Sequence, residues 1–126
     1  MGKYTVGTDL VEIQRIKDSC QRRRFIERVY SEKESALFSS KKDPYPSMAG
    51  NWAAKEAFSK ALCTGVRGFE LHEVSVLRDE LGCPYLELSG KAADTANKMG
   101  LDFSVSITHT KDYASAVVIA FPKEDN

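Results

Sequence analysis

The chain has 126 residues, and its 18 basic and 18 acidic side chains give a formal net charge of zero. This length is typical of a single domain, here residues 1–126. Because the charges balance, the overall composition does not indicate a strongly charged partner. Three cysteines without paired spacing and two histidines argue against a disulfide framework or a zinc cluster, which predicts a reduced, cytoplasmic protein. The first residues contain no long apolar run, so we expect neither a signal peptide nor a membrane partner.

The first third of the chain predicts one strand followed by short helices. Residues 4–13 are rich in β-branched side chains and predict the first strand. Residues 14–28 are mainly polar, with apolar residues spaced for one or two short helices. Ser31 then lies three residues before Glu34, a capping-box spacing that predicts another helix. Residues 39–46 contain two prolines and predict a loop.

The longest predicted helix covers residues 52–62 and should organise the fold. It contains strong helix formers and no glycine or proline. Ser47 is a candidate N-cap and Gly65 a candidate left-handed C-cap. Glu56 and Lys60 share one face of this helix, Lys55 and Ser59 share the adjoining face, and the apolar residues should face the core: Ala54, Ala57, Phe58, Ala61 and Leu62.

The second half predicts a hairpin, a helix and two strands. Residues 74–77 and 85–88 flank a turn, and a helix capped by Ser89 should end at Gly100. Residues 103–108 alternate between apolar and polar, whereas residues 114–121 are almost wholly apolar and predict a central strand. This order of elements predicts an α+β fold, in which a mainly antiparallel sheet packs on the long central helix.

Asp9 is a polar exception in an otherwise aliphatic strand. It either ends the strand or caps a loop, or it pairs with Glu56 of the central helix. Two carboxylates repel each other unless a proton or a cation lies between them, and Mg²⁺ on a phosphate substrate suits so small a ligand set. Lys60 would add positive charge to the same phosphate. The alternative for Glu56 and Lys60 is a surface ion pair, which contributes only about 0.2–0.5 kcal/mol.

Two further features carry both a structural and a functional interpretation. His109, followed by Thr110 at a predicted strand end, is either structural or a hydrogen-bond donor to a phosphate or ribose. The second feature is a basic cluster that is either a solvated helix face or a docking surface for an acidic protein or nucleic acid. Its members are Arg15, Lys17, Arg22, Arg23, Arg24 and Arg28.

These motifs, in this order, resemble those of a known family. Residues 7–9 followed by Arg15, together with the stretch WAAKEAFSKA at residues 52–61, are similar to the two signatures of the short bacterial-type 4′-phosphopantetheinyl transferases, the holo-acyl-carrier-protein synthase family. The resemblance extends over essentially the whole chain, through Arg24-Phe25, Glu34, Thr64-Gly65, Gly82-Cys83-Pro84 and residues 106–110.

The resemblance implies an enzyme that transfers 4′-phosphopantetheine from coenzyme A to a serine of apo-acyl carrier protein, releasing adenosine 3′,5′-bisphosphate and giving holo-carrier for fatty acid synthesis. Asp9 and Glu56 match the ligands of Mg²⁺, and with Lys60 they match the catalytic residues. The residues expected on the coenzyme A side are Lys60, Thr64, Gly65, His109 and Thr110. The residues expected to contact the acidic carrier are Arg15, Arg24 and Phe25.

The resemblance also implies a homotrimer with active sites at subunit boundaries; a nucleic-acid partner is not expected, because the chain has no basic excess and no recognised nucleic-acid-binding motif. Three positions depart from the family pattern. Asn51 replaces a common arginine, Trp52 a common phenylalanine and Cys63 a common glycine. The first change predicts the loss of one contact to a coenzyme A phosphate, for which Lys41 or Lys42 would compensate.

Two other functions compete with the transferase. A non-catalytic module would bind nucleic acid through the arginine-rich helix, but the chain has no overall basic excess. A scaffold would keep carrier docking without transfer, but the retention of Asp9, Glu56 and Lys60 argues against it.

Overall fold

A computed structural model describes residues 3–63 and 68–124 and confirms the α+β fold. A short 3-10 helix, Leu71–Glu73, precedes the second strand. Within the described ranges, no helix is long and apolar enough to cross a bilayer. The strands and α-helices, in chain order, are β1 Thr5–Glu12, α1 Ile13–Ser19, α2 Arg23–Val29, α3 Glu32–Ser39, α4 Tyr45–Ala61, β2 Val74–Arg78, β3 Pro84–Leu88, α5 Gly90–Met99, β4 Leu101–His109 and β5 Tyr113–Pro122.

Two antiparallel sheets form, with strand orders β1-β5-β4 and β2-β3, so the prediction that β5 is central is confirmed. Asp9 lies opposite Ala116, and His109 lies opposite Ala114. Directly opposed residues in an antiparallel pair share a face, and both alanines are buried against the helical layer. The register therefore places Asp9 and His109 at the same end of the sheet, on the inner face.

Helix α4 packs directly on β1 because Gly7 has no side chain. A Cβ added at Gly7 would collide with the carbonyl oxygen of Ala57 and crowd the backbone nitrogen of Ala61. The small side chains on this face of α4 are completely buried, as predicted. This close approach holds Asp9, two residues after Gly7, beside the second half of α4.

Helix α4 begins at Tyr45, two residues before the candidate N-cap Ser47 and seven before the stretch predicted as helix from its composition. Its N-cap is Pro44, and Pro46 lies in the first turn, so Ser47 is inside the helix and is not its cap. Prolines are tolerated here because the first N–H groups of a helix have no intrahelical acceptor. The predicted C-cap Gly65 lies outside the described residues; the helix itself ends at Ala61 with Leu62 as its C-cap.

Helix α3 begins with the predicted capping box, whereas α5 is capped differently from the prediction. Ser31 accepts from the Glu34 N–H at 3.3 Å and its own N–H donates to Glu34 Oε1 at 3.0 Å. Ser89 occupies the N-cap of α5 but makes no capping hydrogen bond through its side chain. Glu73 instead accepts from the N–H groups of Lys91 and Ala92, both at 3.3 Å.

The core contains a buried ion pair that the sequence did not predict. Lys55 Nζ lies 2.6 Å from Glu34 Oε1, and both side chains have no exposed surface. The ammonium group also donates to the carbonyl oxygens of Leu71 and Val74, so all three of its N–H donors have acceptors. Lys55 is therefore a core residue joining α3, α4 and β2, and Ser59, predicted to share its helix face, is buried as well.

Candidate functional site

The second half of α4 exposes a single stripe of side chains. From residue 51 to residue 60, only Trp52, Glu56 and Lys60 are accessible, and all the others are buried. Residues four apart lie on one face of a helix. Any chemistry on this part of α4 must therefore involve this stripe.

Asp9 meets the stripe from β1. Lys60 Nζ lies 3.4 Å from Asp9 Oδ1 and donates to the carbonyl oxygen of Thr8 at 2.9 Å. The ion pair of Lys60 is therefore with Asp9 of β1, and not with Glu56 on its own helix as the alternative interpretation held. The Asp9 side chain is only 16 % exposed, which places its carboxylate in a recess between β1 and α4.

Asp9 lies close enough to Glu56 for its negative charge to act on the Glu56 carboxyl group. The pKa of Glu56 is raised, first by burial and then by the negative charge of Asp9. The positive charges of Lys60 and Arg15 act in the opposite direction. One chain therefore brings together two carboxylates from distant parts of the sequence, with two cations beside them.

This set of donors fits a magnesium ion on a phosphate substrate. In the described part of the chain, no group of three or more His, Cys, Asp or Glu residues could enclose a metal ion. Mg²⁺ commonly takes one or two carboxylates, keeps several waters and completes its octahedron with substrate phosphates. Asp9 and Glu56 are suited to that incomplete kind of site.

The described residues that were predicted on the coenzyme A side lie on different elements: Lys60 on α4, His109 at the end of β4 and Thr110 in the turn that follows. His109 lines a cavity of about 230 Å³ between the start of α4 and the β2-β3 hairpin. Thr110 shapes the β4-β5 turn, where its Oγ1 accepts from the N–H groups of Asp112 and Tyr113 at 3.3 and 3.1 Å. Thr64 and Gly65 lie outside the described residues.

Two of the three predicted docking residues, Arg15 and Phe25, lie beside Trp52. The guanidinium of Arg15 lies 5.8 Å from the centre of the Trp52 ring, and Arg24 is exposed on α2. Phe25 is only 7 % exposed and packs against Trp52 and Tyr30. In this chain the Phe25 ring holds α2 in place, while the arginines form the accessible surface.

Arg78 is a candidate site residue that the sequence did not single out. It is half-buried, lines the same cavity as His109 and donates from Nη2 to Asn51 Oδ1 at 3.1 Å. The one available signal was Asn51 itself, because an asparagine in place of a common arginine raises the question of which other cation lies nearby.

Comparisons with known proteins agree over nearly the whole chain. The sequence model of the 4′-phosphopantetheinyl transferase superfamily matches residues 5–118. A holo-(acyl-carrier-protein) synthase of Caldanaerobacter subterraneus subsp. tengcongensis is 42% identical over 123 residues, which cover 96% of this chain and 97% of that protein.

Solved structures show the same fold. The ACPS-CoA complex of Chronobacterium ammoniagenes has a TM-score of 0.86 and 29% identity, and the match covers 98% of this chain and 100% of that one. The Helicobacter pylori holo-(acyl-carrier-protein) synthase in complex with coenzyme A has a TM-score of 0.79 and 31% identity, covering 92% and 99% of the two chains. The chain belongs to the 4′-phosphopantetheinyl transferase superfamily.

Proposed function

We propose that this enzyme transfers 4′-phosphopantetheine from coenzyme A to a serine of apo-acyl carrier protein in a Mg²⁺-dependent reaction. The observation that carries the proposal is the convergence of Asp9 and Glu56 beside Lys60. Relatives named holo-(acyl-carrier-protein) synthase and similar structures that hold coenzyme A support the choice of substrates.

The reaction exchanges one phosphorus–oxygen bond for another. The serine oxygen attacks the phosphorus that carries pantetheine, the pyrophosphate bond breaks, and adenosine 3′,5′-bisphosphate leaves with the electron pair. When bound, Mg²⁺ neutralises charge on the pyrophosphate oxygens. Lys60 adds a positive charge, and Glu56, whose pKa is raised, is a candidate to accept the serine proton directly or through water.

The basic surface beside the site suits an acidic carrier protein. Arg15 is exposed next to Trp52, and Arg22, Arg23 and Arg24 are exposed at the start of α2. Because Arg15 also acts electrostatically on Glu56, a partner docked here lies next to the carboxylate pair. Such a surface attracts an acidic partner over long distance and orients it.

Replacing Arg24 with glutamate is expected to weaken carrier binding about 10-fold at low salt, because the variant repels the partner that the wild type attracts. The loss should shrink as salt rises. Titration calorimetry with apo-carrier at two ionic strengths measures both effects. Lys98→Glu, the same charge change on exposed Lys98 of α5, is the matched control. Equal affinities for the wild type and Arg24→Glu would place docking elsewhere.

We also propose a homotrimer, the assembly that the family resemblance implies; the outer face of the three-stranded sheet, apolar and uncovered in one chain, supports self-association. Val6, Leu10, Val117 and Ile119 are 60%, 66%, 37% and 40% exposed. An apolar sheet face of this kind favours contact with another protein surface, here other copies of the chain. Active sites at the subunit boundaries, a role in fatty acid synthesis and a cytoplasmic location belong to the same proposal.

The transfer is tested by the intact mass of the carrier protein. Wild-type enzyme incubated with apo-carrier, coenzyme A and Mg²⁺ should add the mass of one phosphopantetheinyl group, and excess EDTA should prevent the addition. An apo-carrier in which the acceptor serine is alanine is the control. No mass gain with the wild-type enzyme would leave a docking scaffold as the better description.

A further inference from the structure

Among the described residues that line the cavity at His109, Arg78 is the one strong cation. The cavity lies between the first turns of α4, the β2-β3 hairpin and the end of β4. Its described lining contains one guanidinium and one imidazole but no carboxylate: Pro46, Ser47, Gly50, Arg78, Gly82, Pro84, Ile107 and His109. The composition of this wall favours an anion.

The positive charge of Arg78 is not neutralised within the described part of the chain. Arg78 Nη1 donates to the Leu77 carbonyl oxygen at 3.3 Å and Nη2 to Asn51 Oδ1 at 3.1 Å, both uncharged acceptors. An arginine has five N–H donors, so these two bonds leave three for a ligand. Burial lowers the pKa of Arg78, and the negative charge of Glu34, which is already paired with Lys55, acts in the opposite direction.

Asn51 fixes the position of this guanidinium. The Asn51 side chain is completely buried, and its amide nitrogen donates to Glu34 Oε2 at 2.9 Å and to the Val76 carbonyl oxygen at 3.0 Å. With both donors used in the core, the amide oxygen faces Arg78. Asn51 is therefore a positioning residue, and the Lys55–Glu34 pair behind it keeps the orientation fixed.

We propose that Arg78 binds the phosphate on the ribose of coenzyme A and makes the enzyme selective for coenzyme A over dephospho-coenzyme A. The inference rests on the proposed function. A guanidinium matches a phosphate through two parallel hydrogen bonds, and His109 in the same wall is a second donor. The pyrophosphate is already assigned to Asp9, Glu56 and Lys60, which leaves the ribose phosphate as the other anionic group of the molecule.

The size of the cavity agrees with this assignment. At about 230 Å³ it is smaller than the roughly 300–1,000 Å³ of pockets that enclose a drug-sized ligand, so it suits one end of an extended molecule.

The assignment also explains why Asn51 can replace the arginine that is common at this position in the family. The positive charge that an arginine at this position would supply comes instead from β2, while Lys41 and Lys42 are exposed in the loop before α4.

Arg78→Gln tests the proposal through substrate selectivity. We expect the ratio of kcat/KM for coenzyme A to kcat/KM for dephospho-coenzyme A to fall about 10- to 100-fold relative to wild type, as for loss of a charged hydrogen-bond pair. Arg78→Lys should retain part of the selectivity for coenzyme A, because lysine keeps the positive charge but lacks the two parallel N–H donors of the guanidinium. Lys98→Gln, which removes one exposed positive charge from α5, should leave the ratio unchanged.

A binding measurement separates this proposal from the proposed function. Wild-type protein should bind adenosine 3′,5′-bisphosphate more tightly than adenosine 5′-monophosphate, and Arg78→Gln should lose that preference while keeping its melting temperature. Normal transfer with an unchanged preference in Arg78→Gln would overturn the role of Arg78. A wild type that fails to modify the carrier but prefers the bisphosphate through Arg78 would overturn the transferase proposal and leave the phosphate site standing.

Discussion

Glu56→Gln is expected to lower the rate of carrier modification by about 10²- to 10⁴-fold, the range typical of losing a positioned general base. Glutamine keeps the size of the side chain but removes the charge that would hold Mg²⁺ and accept a proton. The readout is the initial rate of carrier mass gain at saturating coenzyme A and Mg²⁺. Glu12→Gln, which neutralises an exposed carboxylate on the same strand as Asp9, is the matched control. Wild-type activity in Glu56→Gln would remove Glu56 from the site.

The same substitution should not cost stability. The pKa of Glu56 is raised in the folded chain by burial and by Asp9, so the folded state binds this proton more tightly than the unfolded state. The stabilising effect of the bound proton is complete below the unfolded pKa and disappears as pH rises through the folded pKa. Without Mg²⁺ at neutral pH, Glu56→Gln should therefore melt at or above the wild-type temperature. A clear fall in melting temperature would show that Glu56 is a structural residue.

Lys55→Met is expected to lower the free energy of unfolding by about 3–5 kcal/mol, because it leaves the Glu34 carboxylate buried without its cation. Urea unfolding monitored by circular dichroism measures the change. Arg28→Met, which removes an exposed cation from α2, is the control and should change stability by less than about 0.5 kcal/mol.

The double variant Lys55→Met/Glu34→Gln distinguishes loss of the pair from loss of packing. Neutralising Glu34 removes the unpaired charge, so the double variant should recover much of the stability lost by Lys55→Met. If the single variant were as stable as wild type, the buried pair would not hold α3, α4 and β2 together.

The two carboxylates of the site were visible in the sequence because each stands out locally. Asp9 interrupts an aliphatic strand, and Glu56 lies on a helix whose other residues are mostly small or apolar. Their proximity was not predictable from these patterns alone. It depends on Gly7, which lets β1 approach α4, and on the pairing of β1 with β5. Both are long-range features that sequence spacing does not encode.

The buried polar network behind the cavity was missed for the same reason. Lys55, Asn51 and Arg78 find their partners on other elements. Glu34 was recognised as a capping-box residue and as part of the family resemblance, but neither pattern indicates a buried ion pair. On its own helix, Lys55 is indistinguishable from a solvated lysine. Only the packing of α3 and β2 against α4 shows that its ammonium group is enclosed.

Two element predictions show how local patterns mislead. The start of α4 was placed too late because Pro44 and Pro46 were interpreted as breaks, although both are compatible with a helix N-terminus. The apolar run of β5 correctly predicted a central strand, yet Val117 and Ile119 on its outer face are exposed in one chain. An apolar side chain in the sequence therefore does not indicate whether the same chain or another protein surface covers it.

The linkage between Mg²⁺ and coenzyme A tests the carboxylate pair most directly. Calorimetry would compare coenzyme A affinity with Mg²⁺ and with EDTA for wild type and for Asp9→Asn. If Asp9 and Glu56 hold the ion against the pyrophosphate, Mg²⁺ should raise the affinity of the wild type for coenzyme A about 10-fold or more. The affinity of Asp9→Asn for coenzyme A should hardly change, because the coupling between Mg²⁺ binding and coenzyme A binding requires both carboxylates. The same Mg²⁺-dependent gain in Asp9→Asn, or no gain in the wild type, would contradict the account.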